Sequence, residues 1–314
     1  METKIELKQS RDFGEIINDC IAFIKQNWKG LLRTYFVFCG FFIAGNILFS
    51  ILQQLKMINM YRAISAGDFE ASRSVFGFEY IMVLIFSFLN IVSIILSTLC
   101  YIALYNERGK QAPTIKEVWG YYKYYFWRVV WHSLLLIIII IIGTIVFMIP
   151  TFIMETSGSA AAVGITTIIC VVIPWVYFFT ILSLFFPIVI IENGGFGYAF
   201  GKCFRLIKGR WWSTFGVLFV IGIVVYAGFI LVSLPFYIAS GGIMTFMAYN
   251  ISPVLAIFYS VALGLVQVLN ILPMTGVAVT YFSYAEDKES LGLLERIDTL
   301  GKTDEITDNA NEEY

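Results

Sequence analysis

Six stretches of this chain run without a charge, and their apolar residues show neither the alternation of a half-buried strand nor the narrow stripe of a soluble amphipathic helix. They cover residues 34–55, 81–105, 129–154, 160–191, 213–238 and 253–281, each long enough for a hydrocarbon core that takes about 20 residues per helix. Runs such as LLLIIIIII at residues 134–142 exclude barrel strands, so helices are the only spanning structure left. The pattern predicts an all-α, polytopic membrane protein with a six-span membrane domain over residues 34–285.

A different pattern precedes every second span. Phe13, Ile16, Ile17, Cys20, Ile21, Ile24 and Trp28 recur at helical spacing against a polar face of Glu15, Asn18, Asp19, Lys25 and Gln26. The segment FGEIINDCIAFIKQNW (residues 13–28) aligns without a gap to FGYAFGKCFRLIKGRW (residues 196–211), matching Phe, Gly, Cys, Ile, Lys and Trp. Between them, Ile115, Val118, Trp119, Tyr122 and Phe126 share a face behind Thr114 and Glu117, which stand at capping-box spacing. The chain therefore reads as three units of amphipathic helix, span, outer loop and span. Basic residues edged by aromatics suit a helix lying at the membrane–water interface. Such helices can simply anchor the loops under the bundle, or they can form a docking surface for lipid headgroups or a partner.

Charge fixes the expected orientation, because basic short loops stay in the cytoplasm. Of 21 Lys and Arg residues, 18 lie before span one, between spans two and three, between spans four and five, or after span six, and only Lys56, Arg62 and Arg73 lie elsewhere. Both termini are expected in the cytoplasm of an inner membrane, with residues 1–33 as an N-terminal segment and residues 286–314 as a tail. That tail holds ten acids and three bases, a net charge of −7. It reads as a short helix through Leu291, Leu293, Leu294, Ile297 and Leu300, followed by a disordered acidic end. The first thirty residues are charged and carry no cleavable signal, so span one is expected to act as the insertion signal.

Composition agrees: 59% apolar, 17% aromatic and 14% charged residues, with a mean hydropathy of +0.81, exceed what one soluble core could hide. Cys20 and Cys203 fall on the basic side and Cys39, Cys100 and Cys170 inside spans, so no disulfide is expected. The sequence offers no Walker loop, GxSxG, HExxH or Cys-x-x-Cys, and its single histidine, His132, is expected at the interface beside Trp127 and Trp131. The reading is therefore non-enzymatic, with no cofactor, no metal and no nucleic-acid partner; membrane lipids and a cytoplasmic or membrane protein are the expected partners.

Two groups of residues remain as candidates. Gln267, Asn270 and Thr275, close to Pro273 in span six, together with Asn46 and Asn90, form a candidate polar site in the membrane, since broken helices build binding sites in transporters. The alternative is a kink satisfied by its own neighbours. Glu192 ends span four just before the third amphipathic helix, where it is expected to pair with Arg205 or Lys208, making a candidate interfacial cluster, or to act as a charge at that helix's positive N-terminus.

The segments RDFGEIINDCIAFIKQNWKGLL (residues 11–32) and FPIVIIENGGFGYAFGKCFRLIKGRWWSTFG (residues 186–216) resemble bacterial multi-span proteins grouped with the membrane domain of glycerophosphoryl diester phosphodiesterases. In those, a Pro-to-Glu segment ending a span leads into an amphipathic helix and the next span, here Pro187, Glu192 and residues 196–211. Catalysis in fused relatives resides in a separate soluble barrel that this sequence lacks, so the resemblance implies a membrane module rather than hydrolase activity. The function expected is organisation of partners or lipids at the cytoplasmic face, with a small transporter or lipid-handling protein as the alternative.

Overall fold

The computed structural model describes residues 4–68, 70, 76–155, 159–242 and 252–290; the expected tail helix and acidic end lie outside them. Every regular element described is helical: α1 (Phe13–Ser65), α2 (Phe78–Glu107), α3 (Ile115–Glu155), α4 (Ala160–Thr167), α5 (Ile173–Leu182), α6 (Phe185–Ile191), α7 (Phe196–Ile207), α8 (Trp211–Ala239), α9 (Pro253–Val266) and α10 (Ile271–Glu289). Six helical stretches are long and apolar enough to cross a membrane, the fourth being α4 to α6 and the sixth α9 with α10.

Two of the three amphipathic helices differ from expectation, because they are not separate elements. α1 runs unbroken through the expected boundary at Thr34 and beyond Leu55, and α3 runs unbroken through Val129. At 1.5 Å per residue α1 extends about 80 Å, far more than a hydrocarbon core of about 30 Å. Only α7 stands alone. The gapless repeat explains this: Gly209 stands where the first unit has Gln26, and its φ of +84°, open to glycine and strained for other residues, ends α7 where α1 continues.

Burial shows that the three units are packed alike, including the second, whose side chains differ. Ile16, Cys20 and Phe23 in α1, Val118, Tyr122 and Tyr125 in α3, and Ala199, Cys203 and Leu206 in α7 occupy equivalent positions, and all nine are buried. Each helix also starts three residues before the first of these: the amides of Ile16, Val118 and Ala199 donate to the carbonyls of Asp12, Thr114 and Gly195, the residues just before each helix. Glu15 and Glu117 accept the backbone N–H of Asp12 and Thr114 at 2.8 Å, half of a capping box in each case.

The units close into a cyclic arrangement. The C-terminal parts of their second spans, α2, α6 and α10, touch one another pairwise at the centre. Around them α1 packs on α2 and α10, α3 on α6 and α2, and α7 with α8 on α10 and on the α5–α6 segment. Each leading helix thus covers the trailing span of its own unit and that of its neighbour. The outer part of α3 faces away from protein, with Ile138, Ile141, Ile142, Ile145 and Ile149 all more than half exposed, as a lipid-facing run must be.

Candidate functional site

Polar contacts gather six segments at one end of the bundle. The Arg11 amide donates to Ser283 Oγ of α10 at 3.0 Å, and Lys110 in the α2–α3 loop reaches Glu6 at 3.4 Å. Arg128 of α3 donates to the carbonyl of Asn193 at 3.1 Å, in the loop between α6 and α7. Arg210 pairs with Asp287 at 2.7 Å, joining the α7–α8 turn to the end of α10. The N-terminal segment, both strongly basic loops and the end of the sixth span therefore share one end.

At its centre is a charged and phenolic cluster. Lys202 is 4% exposed, and its ammonium lies 2.8 Å from Glu192 Oε1 and 2.6 Å from Glu289 Oε2. Tyr198 donates to Glu192 Oε2 at 2.8 Å, and Tyr281 donates to Glu192 Oε1. Burial alone would lower the Lys202 pKa, but the hydrogen bonds it donates to Glu192 and Glu289 outweigh it and hold the ammonium above its ordinary value of 10.5. Two carboxylates around one lysine make a clasp between α6, α7 and α10.

The expected partners of Glu192 are corrected here. Arg205 pairs with Glu289 at 3.2 Å, and the Lys208 carbonyl accepts a hydrogen bond from Lys288 at 2.9 Å while its ammonium is exposed. Both lie on the outward side of α7, whereas Lys202 shares the inward face with Ala199 and Cys203. Sequence reading missed Lys202, although a lysine one turn from Ala199 and next to Cys203 on the buried face needs a carboxylate. The equivalent positions carry the same kind of contact: Asp19 pairs with Arg11 at 2.7 Å and the Tyr121 hydroxyl donates to Glu107 at 2.5 Å.

The candidate polar residues of the spans do not form one site. Asn90 donates to Gln267 Oε1, and Asn270 donates to the Gln267 carbonyl at 3.0 Å, where residues Gln267–Asn270 form a 3-10 turn between α9 and α10. Asn46 instead donates to Ser87 Oγ on α2 at 2.6 Å, and Thr275 donates to the carbonyl of Ile271 one turn back at 2.9 Å. Asn90 is buried, and its Oδ1 has no hydrogen-bond partner. His132 is 9% exposed and stacks on Phe196 with ring centroids 5.6 Å apart, so it packs against the α7 entrance.

Basic and aromatic side chains surround this end. Lys25, Arg33, Lys116 and Lys208 are exposed, and their charged groups have no partner among the described residues. Lys29 and Lys123 sit 5.7 Å and 5.8 Å from the rings of Trp28 and Trp119. Trp127, Trp131 and Trp212 are each more than 60% exposed, as amphipathic indoles are at a headgroup level. Among the described residues no group of three or more His, Cys, Asp or Glu is placed to hold a metal ion. No protein-family model, curated protein or solved structure matches the chain.

Proposed function

We propose that this is a non-enzymatic protein of a bacterial inner membrane, with both termini in the cytoplasm, that gathers anionic lipids and through them protein partners at its cytoplasmic face. The observation that carries this reading is the set of unpaired cations, Lys25, Arg33, Lys116 and Lys208, standing among exposed tryptophans at one end of the bundle. Clusters of this composition attract acidic headgroups, each Lys or Arg contributing about 1 kcal/mol near the surface. The amphipathic faces of α1, α3 and α7 hold these cations at the interface while their apolar sides are spent on the protein core. As the resemblance implies, the chain acts as a membrane module rather than as a hydrolase.

The test is lipid analysis of protein extracted directly from membranes into polymer-bounded discs. The unaltered protein is expected to carry a higher anionic fraction than the bulk membrane. The triple variant Lys25→Gln, Arg33→Gln, Lys116→Gln is expected to lose that enrichment about two-fold or more, given the per-charge contribution above. An anionic fraction equal to that of the membrane in both proteins would sink the reading.

A second reading is favoured by the Asn90–Gln267 contact and the 3-10 turn in span six: a small transporter or lipid-handling protein with a polar site there. Gln267→Leu with Asn270→Leu separates the two. Loss of a transport or lipid-binding signal with insertion and anionic enrichment intact would favour the second.

A further inference from the structure

Between α2, α3, the fourth span, α8 and α10 lies a cavity of about 1170 Å³, lined almost wholly by aliphatic and aromatic side chains. A neighbouring hollow of about 640 Å³ shares Val172, Val176 and Phe215 with it, so the two flank one face of the fourth span. Of the four hydroxyl residues on the larger wall, two are turned to their own helix: Thr180 donates to the Val176 carbonyl and Ser183 to that of Thr180, both at 2.8 Å. A space with so few available polar groups does not hold ordered water and suits a hydrocarbon occupant.

Three irregularities in different helices face this space. Residues Ile168–Val172 form a π-helical turn, a feature frequent at functional sites, and put Val171 and Val172 on the wall. Pro273 of α10, just past the 3-10 turn, and Gly222 of α8 complete it. Three glycines between spans are filled by a neighbour: a Cβ on Gly45 would strike Phe86, on Gly264 Ile47 and on Gly228 Leu269. Nothing lies within 4 Å of one on Gly222. Gly40 and Gly164 are open in the same way, but Gly222 is the open glycine that stands on this cavity's wall. Phe179, Phe219 and Ile223 on its wall are more than half exposed, so it opens sideways toward lipid.

At its basic end the smaller hollow is bordered by Tyr177, Trp211 and Trp212. Lys208 stands four residues before Trp212, exposed and unpaired, whereas Arg210 is held by Asp287. Basic groups between spans on the cytoplasmic side suit acidic headgroups. We propose that the two hollows hold the acyl chains of one anionic diacyl phospholipid whose phosphate is bound by Lys208 beside Trp212. This goes beyond the cationic girdle, since it places a single lipid within the bundle rather than a population around it.

The full-length protein is reconstituted in phosphatidylcholine nanodiscs with a trace of phosphatidylglycerol or phosphatidylcholine carrying a diazirine in mid-chain, illuminated, and mapped by peptide mass spectrometry. Adducts are expected on residues 171–186 and 215–226, several-fold more from the glycerol probe. Lys208→Gln is expected to remove that excess. Gly222→Leu is expected to lower the yield from both probes, and the triple girdle variant to leave the adduct positions unchanged. Adducts spread equally over the outward face of α3, at Ile138 and Ile145, would overturn the proposal, as would equal yields from the two probes. Because adduct positions are read on the unaltered protein, misfolding of Gly222→Leu would leave both results decisive. Loss of girdle enrichment in membranes with the adducts retained would separate this site from the function proposed above.

Discussion

Lys202 shows how one side chain can tie three helices together. Its ammonium is shared by Glu192 at the end of α6 and Glu289 at the end of α10, and removing it leaves two carboxylates facing each other in a largely buried place. Breaking a fully buried ion pair costs about 3–5 kcal/mol; since Glu289 retains some exposure, Lys202→Met is expected to cost about 2–3 kcal/mol, read as reduced thermal stability in detergent. Adding Glu192→Gln should return part of that loss. The direction with pH follows from the raised pKa: the stability that Lys202 supplies is fully present below the unfolded value of 10.5 and disappears as the pH rises through the higher folded one. Melting curves at increasing alkaline pH should therefore converge for the unaltered protein and Lys202→Met. Glu192 was legible in the sequence as a charge at the end of a span. Its partner was not, because Lys202, Arg205 and Lys208 follow on one short segment, and only helical phase separates the inward lysine from the outward pair.

For the helices, the legible part was the number and approximate extent of the spans, since uncharged runs of that length have few alternatives in a membrane. The illegible part was where one helix stops and the next begins. Hydropathy changes at Thr34 and Val129, yet nothing there breaks an α-helix, and both α1 and α3 continue. At the corresponding place in the third unit glycine stands for glutamine, and the chain turns there at a positive φ. Gly209→Ala is expected to cost about 1–2 kcal/mol, because an L-residue is strained at that φ. It should also loosen α7, seen as faster hydrogen exchange at residues 196–207, and Gln26→Gly in α1 should cost about 1 kcal/mol without creating a turn. The π-helical turn of the fourth span had no sequence signal beyond Pro174, the second residue of the helix that follows it.

For the molecule as a whole, the basic residues predict a side, and the polar contacts place the segments that bear them together at one end of the bundle. The two kinds of argument are independent, one from charge and one from geometry. Native cysteines are poor reporters of the side: Cys20 and Cys203 are buried, and burial pushes the Cys203 thiol up to about 12, leaving almost no reactive thiolate at neutral pH. In a cysteine-free background, Lys116→Cys should react with an impermeant maleimide only in inverted vesicles, and Gly67→Cys only in right-side-out ones. The reverse pattern would turn the molecule over. The three-unit plan was visible in the gapless match of the first and third amphipathic segments. The cyclic closure around α2, α6 and α10 was not, because it depends on which faces meet between units.

Each unit crosses the membrane twice and returns to the side where it began. Adding or removing a whole unit therefore shifts the number of spans by two and cannot invert anything that follows it. A copied unit brings its own lysines and arginines to the side that already holds them, so the imbalance of 18 to 3 is renewed with every copy rather than assembled loop by loop. Orientation in this architecture is a property of the module, and a chain of two or four such units would insert the same way round.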